Sequence, residues 1–217
     1  MTPPPDPAPV VLVVDDHPMF RGAVVHALTT AMPGAQVQEL ASAAALDRAL
    51  AEGGGIDLVL LDLMMPGVHG FSALLHARGE RPDVPVLVIS SNEHPRVIRR
   101  AQQFGAAGFI PKSSPAEAIG LAVAAVLEGG TWFPPMAAER SEDDARLAAK
   151  LAQLTPQQFR VLVCIADGLL NKQIAAQLGL AENTVKVHVT ALLKKLDCHS
   201  RTQAAVLVKS LDPEPPP

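Results

Sequence analysis

Residues 56–67 read Ile56-Asp57-Leu58-Val59-Leu60-Leu61-Asp62-Leu63-Met64-Met65-Pro66-Gly67. The first part, 56–61, is a nearly continuous apolar run of strand length, and it runs straight into an acid. A strand with one wet face would alternate. A strand apolar at nearly every position is covered on both sides, as in a parallel sheet flanked by helices. Asp57 stands at the opening of this strand and reads as structural. Asp62 stands at its close, and ligands of such sheets sit beyond the carboxyl ends of the strands.

Working outward, the same grammar repeats. Strands are expected at 10–14, 36–40, 84–89 and 107–110. Helical patterns fall at 18–31, 43–51, 71–78, 96–104 and 115–127, with breaks at Pro33-Gly34 and Gly53-Gly54-Gly55. Five strand–helix units in one stretch predict an α/β doubly wound, five-stranded parallel sheet. Asp15 and Asp16 then close the first strand, Asp62 the third and Ser90 the fourth, and Lys112 follows the fifth. Three acids brought to one sheet edge repel one another. A hard divalent cation with oxygen ligands, such as Mg²⁺, relieves that repulsion. With a hydroxyl and an ammonium beside it, the pocket suits a phosphoryl group: the cations offset its charge and Ser90 hydrogen-bonds an oxygen.

The chain changes character after this half. Residues 129–153 hold Gly129-Gly130, Pro134-Pro135 and an acidic cluster, and read as a linker with a short helix at 145–151. From Leu154 onward the period is helical throughout, with helices expected at 156–166, 172–178, 182–196 and 202–209. Thr155, Pro156 and Gln158 form a helix start with a capping box. The net charge of −4 divides unevenly. Residues 1–153 carry 11 basic and 17 acidic side chains, and residues 154–217 carry 7 and 5. An acidic front and a basic back suit different partners, the back a nucleic acid. Residues 1–9 and 212–217 are Pro-rich and read as disordered tails. Cys164 and Cys198 lack metal-ligand spacing, and Cys164 lies in an apolar run as a core residue. No secretory signal is visible and no run approaches the ~20 residues of a membrane span, so a soluble cytoplasmic protein is expected.

The helix at 182–196 has two faces. Val185, Val189, Leu192, Leu193 and Leu196 follow core spacing. Asn183, Lys186, Val187, Thr190 and Lys194 fall opposite. This second face suits a major groove, with Lys186 toward a guanine edge or phosphate and Val187 against a thymine methyl; Thr184 and His188 are placed for phosphates. The preceding short helix and glycine turn complete a helix-turn-helix pattern.

Asp15-Asp16, the stretch Leu61-Asp62-Leu63-Met64-Met65-Pro66-Gly67, Ser90 and Lys112 resemble the receiver domain of two-component response regulators. Leu154-Thr155-Pro156, Gly168-Leu169, Asn171-Lys172-Gln173-Ile174-Ala175, Thr184-Val185-Lys186-Val187-His188 and Arg201-Thr202-Gln203-Ala204 resemble the LuxR-type DNA-binding domain. Together they cover nearly the whole chain in the order of the NarL/FixJ family. The resemblance implies a flavodoxin-like receiver over 10–129, a linker over 130–152 and a four-helix DNA-binding domain over 153–211. It implies phosphorylation of Asp62 by a sensor histidine kinase and Mg²⁺ held by Asp15, Asp16, Asp62 and the Met64 carbonyl. Ser90 and Phe109 would be a switch pair whose ring turns inward. Phosphorylation would promote homodimerisation and binding to a roughly palindromic promoter site. The only chemistry implied is phosphoryl transfer to the protein itself and its slow hydrolysis, not that of a stand-alone enzyme. A phosphorylation-independent DNA binder that uses its receiver to dimerise is the alternative. The chain departs from the family where Ser113 rather than Pro follows Lys112, and where Ala181 replaces a Ser cap, Gln158 a Glu, and Thr190 a cation found in some members.

Overall fold

The computed structural model describes residues 8–66, 68–135 and 141–212. Most of both expected tails, Gly67 and part of the expected linker therefore lie outside the described residues. Five strands, β1 (Val10–Val14), β2 (Gln36–Leu40), β3 (Leu58–Asp62), β4 (Val86–Ser90) and β5 (Gly108–Pro111), form one sheet in the order β2-β1-β3-β4-β5. Every pairing is parallel. Helices α1 (Pro18–Ala31), α2 (Ala43–Glu52), α3 (Ser72–Glu80), α4 (Pro95–Gln103) and α5 (Ala116–Leu127) connect and follow the strands.

The two-residue repeat of a strand explains why these runs are apolar throughout. Leu12, Val14, Val59, Leu61, Val86 and Val88 face one layer with Leu46 and Leu50 of α2, Leu74 of α3 and Ala101 of α4. Val11, Val13, Leu58, Leu60, Leu87 and Ile89 face the other with Val24 and Leu28 of α1 and Val123 of α5. Asp57 is exposed, and its Oδ2 accepts a hydrogen bond from the Val10 amide (2.7 Å), tying β3's entry to β1 at the end of the sheet away from Asp62. A single parallel rung extends the sheet: Trp132 pairs with Gly108, and its carbonyl accepts the Phe109 amide (2.7 Å). A Cβ on Gly108 would lie 2.5 Å from that carbonyl, so the rung needs glycine there.

The described part of the acidic cluster, Glu142 to Asp144, belongs to the helix expected in the linker. Helix α6 (Glu142–Leu151) begins three residues before the expected 145. Ser141 caps it by accepting the Asp144 amide, and Glu142, Asp143 and Asp144 sit in its first turn, where the helix dipole favours negative charge. Four more helices follow: α7 (Pro156–Ala166), α8 (Asn171–Leu178), α9 (Glu182–Leu196) and α10 (Arg201–Lys209). Thr155 and Gln158 make the reciprocal capping box at α7 (3.2 and 3.1 Å). Val161, Leu162, Ile174, Val185, Leu192, Ala204 and Val208 close the helical core, and Cys164 is buried within it. That burial pushes the Cys164 thiol up to about 11, with the nearby Asp167 carboxylate adding to the effect.

The two halves share an apolar boundary. Helix α3 packs on α7, and α4 on α6. The rings of His76 and Phe159 stack with centroids 6.2 Å apart.

Candidate functional site

The loops at the carboxyl ends of β1, β3 and β5 bring the expected acids and lysine together. Asp15 and Asp62 are almost fully buried. Lys112 Nζ donates to Asp62 Oδ2 (2.8 Å) and lies 2.6 Å from Asp15 Oδ2. The second contact is a close ion pair, so one ammonium holds both buried acids. The ammonium also sits 4.7 Å from the centre of the Phe20 ring, a cation–π contact that fixes it from the α1 side.

Local hydrogen bonds set each carboxylate. Asp62 Oδ1 accepts the Met64 amide (3.0 Å), which folds the loop after β3 back over the acid. Asp15 Oδ1 accepts the His17 amide (2.7 Å), and the Asp15 carbonyl accepts Arg21 Nη1 (2.6 Å). Burial raises the pKa of Asp62 above the usual carboxylate value. The Lys112 hydrogen bond and the Met64 amide oppose that rise without cancelling it, and the Asp15 charge adds to it. Burial pulls Lys112 down, but its contacts with Asp15 and Asp62 outweigh this and hold it above the ordinary lysine range.

Ser90 and Phe109 occupy β4 and β5 beside this edge. Ser90 follows Ile89, the register partner of Asp62, and its carbonyl accepts the Lys112 amide (2.8 Å). Its hydroxyl oxygen accepts the Asn92 amide (3.2 Å). Phe109 has no accessible surface. An inward turn of its ring therefore has no outward starting point here, because the ring is already packed in the layer with Phe71 and Phe104.

The donor set can hold a divalent cation. Asp15, Asp16 and Asp62, joined by His17, each place one ligand atom so that all lie within 4.8 Å of one another. Asp15 Oδ2 and Asp16 Oδ1 are buried acceptors that face Lys112 Nζ (2.6 Å) and His17 Nδ1 (2.8 Å), and the carboxylates keep further lone pairs for a hard cation. The Met64 side chain is partly exposed on the same loop. His17 and Phe20 were not singled out in the sequence, although His17 stands directly beside the acid pair.

The second candidate surface lies on α9. Asn183, Thr184, Lys186, Val187, Thr190 and Lys194 are exposed, while His188 is half-buried. Val187 stands out as a large exposed apolar side chain. Thr190 donates to the Lys186 carbonyl one turn back (3.0 Å), and Lys186 pairs with Glu182 (3.2 Å). Gly179 ends α8 in the left-handed conformation, φ 66°, which glycine adopts without strain. Ala181 begins α9 with no side-chain cap.

Contacts between the halves were also missed. They include Arg160 with Glu80 (3.3 Å), Arg100 Nη2 with the Ser210 carbonyl (2.8 Å) and His69 Nε2 with Asp167 (3.1 Å). They pair residues up to 110 positions apart, and no local pattern marks them.

Comparison with known proteins gives two family matches. Residues 11–124 match the response regulator receiver domain, and residues 152–208 match the bacterial regulatory proteins of the luxR family. A glycerol metabolism activator of Pseudomonas putida is 40% identical over 214 residues, covering 93% of this chain and 96% of that protein. The nitrate/nitrite response regulator protein NarL of Escherichia coli K12 is 36% identical over 203 residues, covering 91% and 94%. Among solved structures, the complex of the two-component response regulator RcsB with DNA matches at 22% identity. It covers 94% of this chain and 98% of that one with a TM-score of 0.53, a likeness of fold.

Proposed function

The chain belongs to the two-component response regulators with a luxR-type DNA-binding domain, and from that premise we propose that phosphorylation of Asp62 switches its control of transcription. The observation that carries this reading is the convergence of Asp15, Asp62 and Lys112, with Nζ 2.6 and 2.8 Å from the two acids. We read 10–129 as the receiver, 130–152 as the connection and 153–211 as the DNA-binding part.

Asp15, Asp16, Asp62 and the Met64 carbonyl would hold Mg²⁺. When bound, the ion supplies charge neutralisation that lets one anion approach another. An oxygen of Asp62 then attacks the phosphorus of a kinase phosphohistidine. The phosphorus–nitrogen bond breaks, and its electron pair stays on the leaving imidazole. Lys112 exchanges its carboxylate contact for a phosphoryl oxygen, and the Ser90 hydroxyl turns from the Asn92 amide to donate to another. Because Phe109 is already buried, the signal is a repacking of β4 and β5 rather than a ring swinging in from solvent. We assign the exposed face of α9 to the major groove of a roughly palindromic site, read by a homodimer. The partner is a sensor histidine kinase, and the setting is the cytoplasm. Among the described residues no helix is long and apolar enough to cross a membrane.

A small phosphodonor with Mg²⁺ tests the switch. Wild type is expected to gain the mass of one phosphoryl group and Asp62→Asn none; equal gain would remove Asp62 from its role. One observation favours a second reading, in which DNA binding needs no phosphate: the face of α9 that we assign to the groove is exposed and not covered by the other half. That reading wins if Asp62→Asn binds promoter DNA as tightly as phosphorylated wild type.

A further inference from the structure

We propose that His17 supplies a nitrogen ligand to the cation held by Asp15, Asp16 and Asp62, so that the pocket prefers a first-row transition divalent ion such as Mn²⁺ or Zn²⁺ over Mg²⁺. This rests on the reading that these carboxylates hold a divalent cation.

The geometry begins with the backbone. The His17 amide donates to Asp15 Oδ1 (2.7 Å), which locks the residue in a tight turn at the end of β1. The ring then folds over the acids rather than away from them. Its Nδ1 lies 2.8 Å from Asp16 Oδ1 and 3.1 Å from Asp15 Oδ1. The two oxygens of Asp15 are divided: Oδ1 faces His17 and Oδ2 faces Lys112. A cation on the His17 side therefore need not displace the ammonium. Asp16 Oδ1 is buried and faces the same ring nitrogen.

The dimensions fit one ion. Ligands on opposite sides of an ion with bonds of about 2.1 Å stand about 4.2 Å apart. The four ligand atoms here spread over at most 4.8 Å, so a small contraction closes the shell. Beside two carboxylate oxygens Nδ1 carries a hydrogen, and coordination would move that proton to Nε2 while the cation takes its place between the ring and the acids. The His17 side chain is 63% exposed, so a proton carried on Nε2 can be met by water. Mg²⁺ takes oxygen and gains little from imidazole, whereas Mn²⁺ and Zn²⁺ accept mixed nitrogen and oxygen sets.

The alternative is that Nδ1–H only orients the two carboxylates. Asn at position 17 can still donate a hydrogen bond but offers no imidazole nitrogen, so His17→Asn separates the two roles. Equilibrium binding of Mg²⁺, Mn²⁺ and Zn²⁺ should be measured on the full chain for wild type, His17→Ala, His17→Asn and Asp62→Asn. Pulsed electron paramagnetic resonance of bound Mn²⁺ should be recorded on the same proteins. Wild-type Mn²⁺ is expected to show coupling to a ¹⁴N nucleus that both His17 variants lose. In both, Mn²⁺ and Zn²⁺ should weaken about tenfold or more while Mg²⁺ stays within about twofold, the scale on which ligand-shell changes act. Absence of nitrogen coupling in wild type, or His17→Asn binding Mn²⁺ like wild type, overturns the nitrogen ligand and leaves the carboxylate site intact. If no cation binds wild type, or if all bind Asp62→Asn equally well, the carboxylate reading falls and this one with it.

Discussion

His69 Nε2 stands 3.1 Å from Asp167 Oδ1, so the loop that leaves the Asp62 strand touches the end of the first helix of the DNA-binding part. The other ring nitrogen faces Asp212 at 3.6 Å. Beside it, the Phe71 amide donates to the Leu211 carbonyl (3.2 Å). One loop thus joins the Asp62 strand at one end and grips α7 and the end of α10 at the other. His69→Ala should loosen this grip. Hydrogen exchange at the Phe71 amide is expected to speed up about fivefold, the value of about 1 kcal/mol for one such contact. Arg146→Ala, on an exposed face of α6, serves as the control with no change. Equal exchange in both variants would mean that the grip resides elsewhere.

Lys112 is the counter-charge for two buried acids. Lys112→Ala leaves them facing each other, and removal of one partner from a buried ion pair costs about 3 kcal/mol or more. Urea unfolding without Mg²⁺ should register that loss. Saturation with Mg²⁺ at about a hundred times its dissociation constant should restore up to about 2.7 kcal/mol by mass action. A variant as stable as wild type without metal would contradict the pairing.

The raised pKa of Asp62 gives a pH signature. Whatever stability its protonated form contributes is fully present below 3.8, the unfolded value, and is lost as pH rises through the higher folded value. Asn is neutral throughout. Metal-free Asp62→Asn should therefore gain on wild type as pH climbs from 3.8 through that interval, and then hold its advantage. Lys112, also raised, adds its own loss only above 10.5, outside this window. Denaturant midpoints of the two proteins that stay a constant distance apart across the acid range would refute the shift.

On α9, Lys186 is exposed and pairs with a surface glutamate, Glu182. Such a pair is weak and salt-screened, and is easily exchanged for a phosphate or a base edge. Lys186→Ala should weaken promoter binding by about tenfold. If the contact is to a phosphate, it should also lower the slope of log affinity against log salt by about one. Affinity that does not change would move the reading face off this helix.

Ala181 begins α9 with extended backbone and no side-chain cap. Ala181→Ser should supply the missing acceptor and stabilise the domain by about 1 kcal/mol, read as a rise in unfolding midpoint. No gain would mean that water already satisfies those amides.

The sheet was legible because a strand buried on both faces leaves a run of apolar residues that nothing else of that length explains. The acid pocket was legible because strand ends in a parallel sheet share one edge, so Asp15, Asp62 and Lys112 needed only their positions after a strand. Strand limits moved by one or two residues where burial continued past the apolar run, as at Asp62 and Ser90. The start of α6 was hidden because Glu142 and Asp143 look like linker by composition but complement a helix dipole once Ser141 caps them. The contacts of Arg100, Arg160 and His69 depend on how two halves dock. That is a matter of surfaces matched across long sequence separations, which no periodicity records.

The rung between Trp132 and the β5 strand equips the molecule with a built-in optical gauge. The chain has one tryptophan and no tyrosine, so indole emission comes from this position alone. Its backbone is hydrogen-bonded on one side to Ala107 and on the other to Phe109, which places the fluorophore where β5 meets the segment leading to the helical half. Changes in its spectrum would follow that junction in real time, with no label attached.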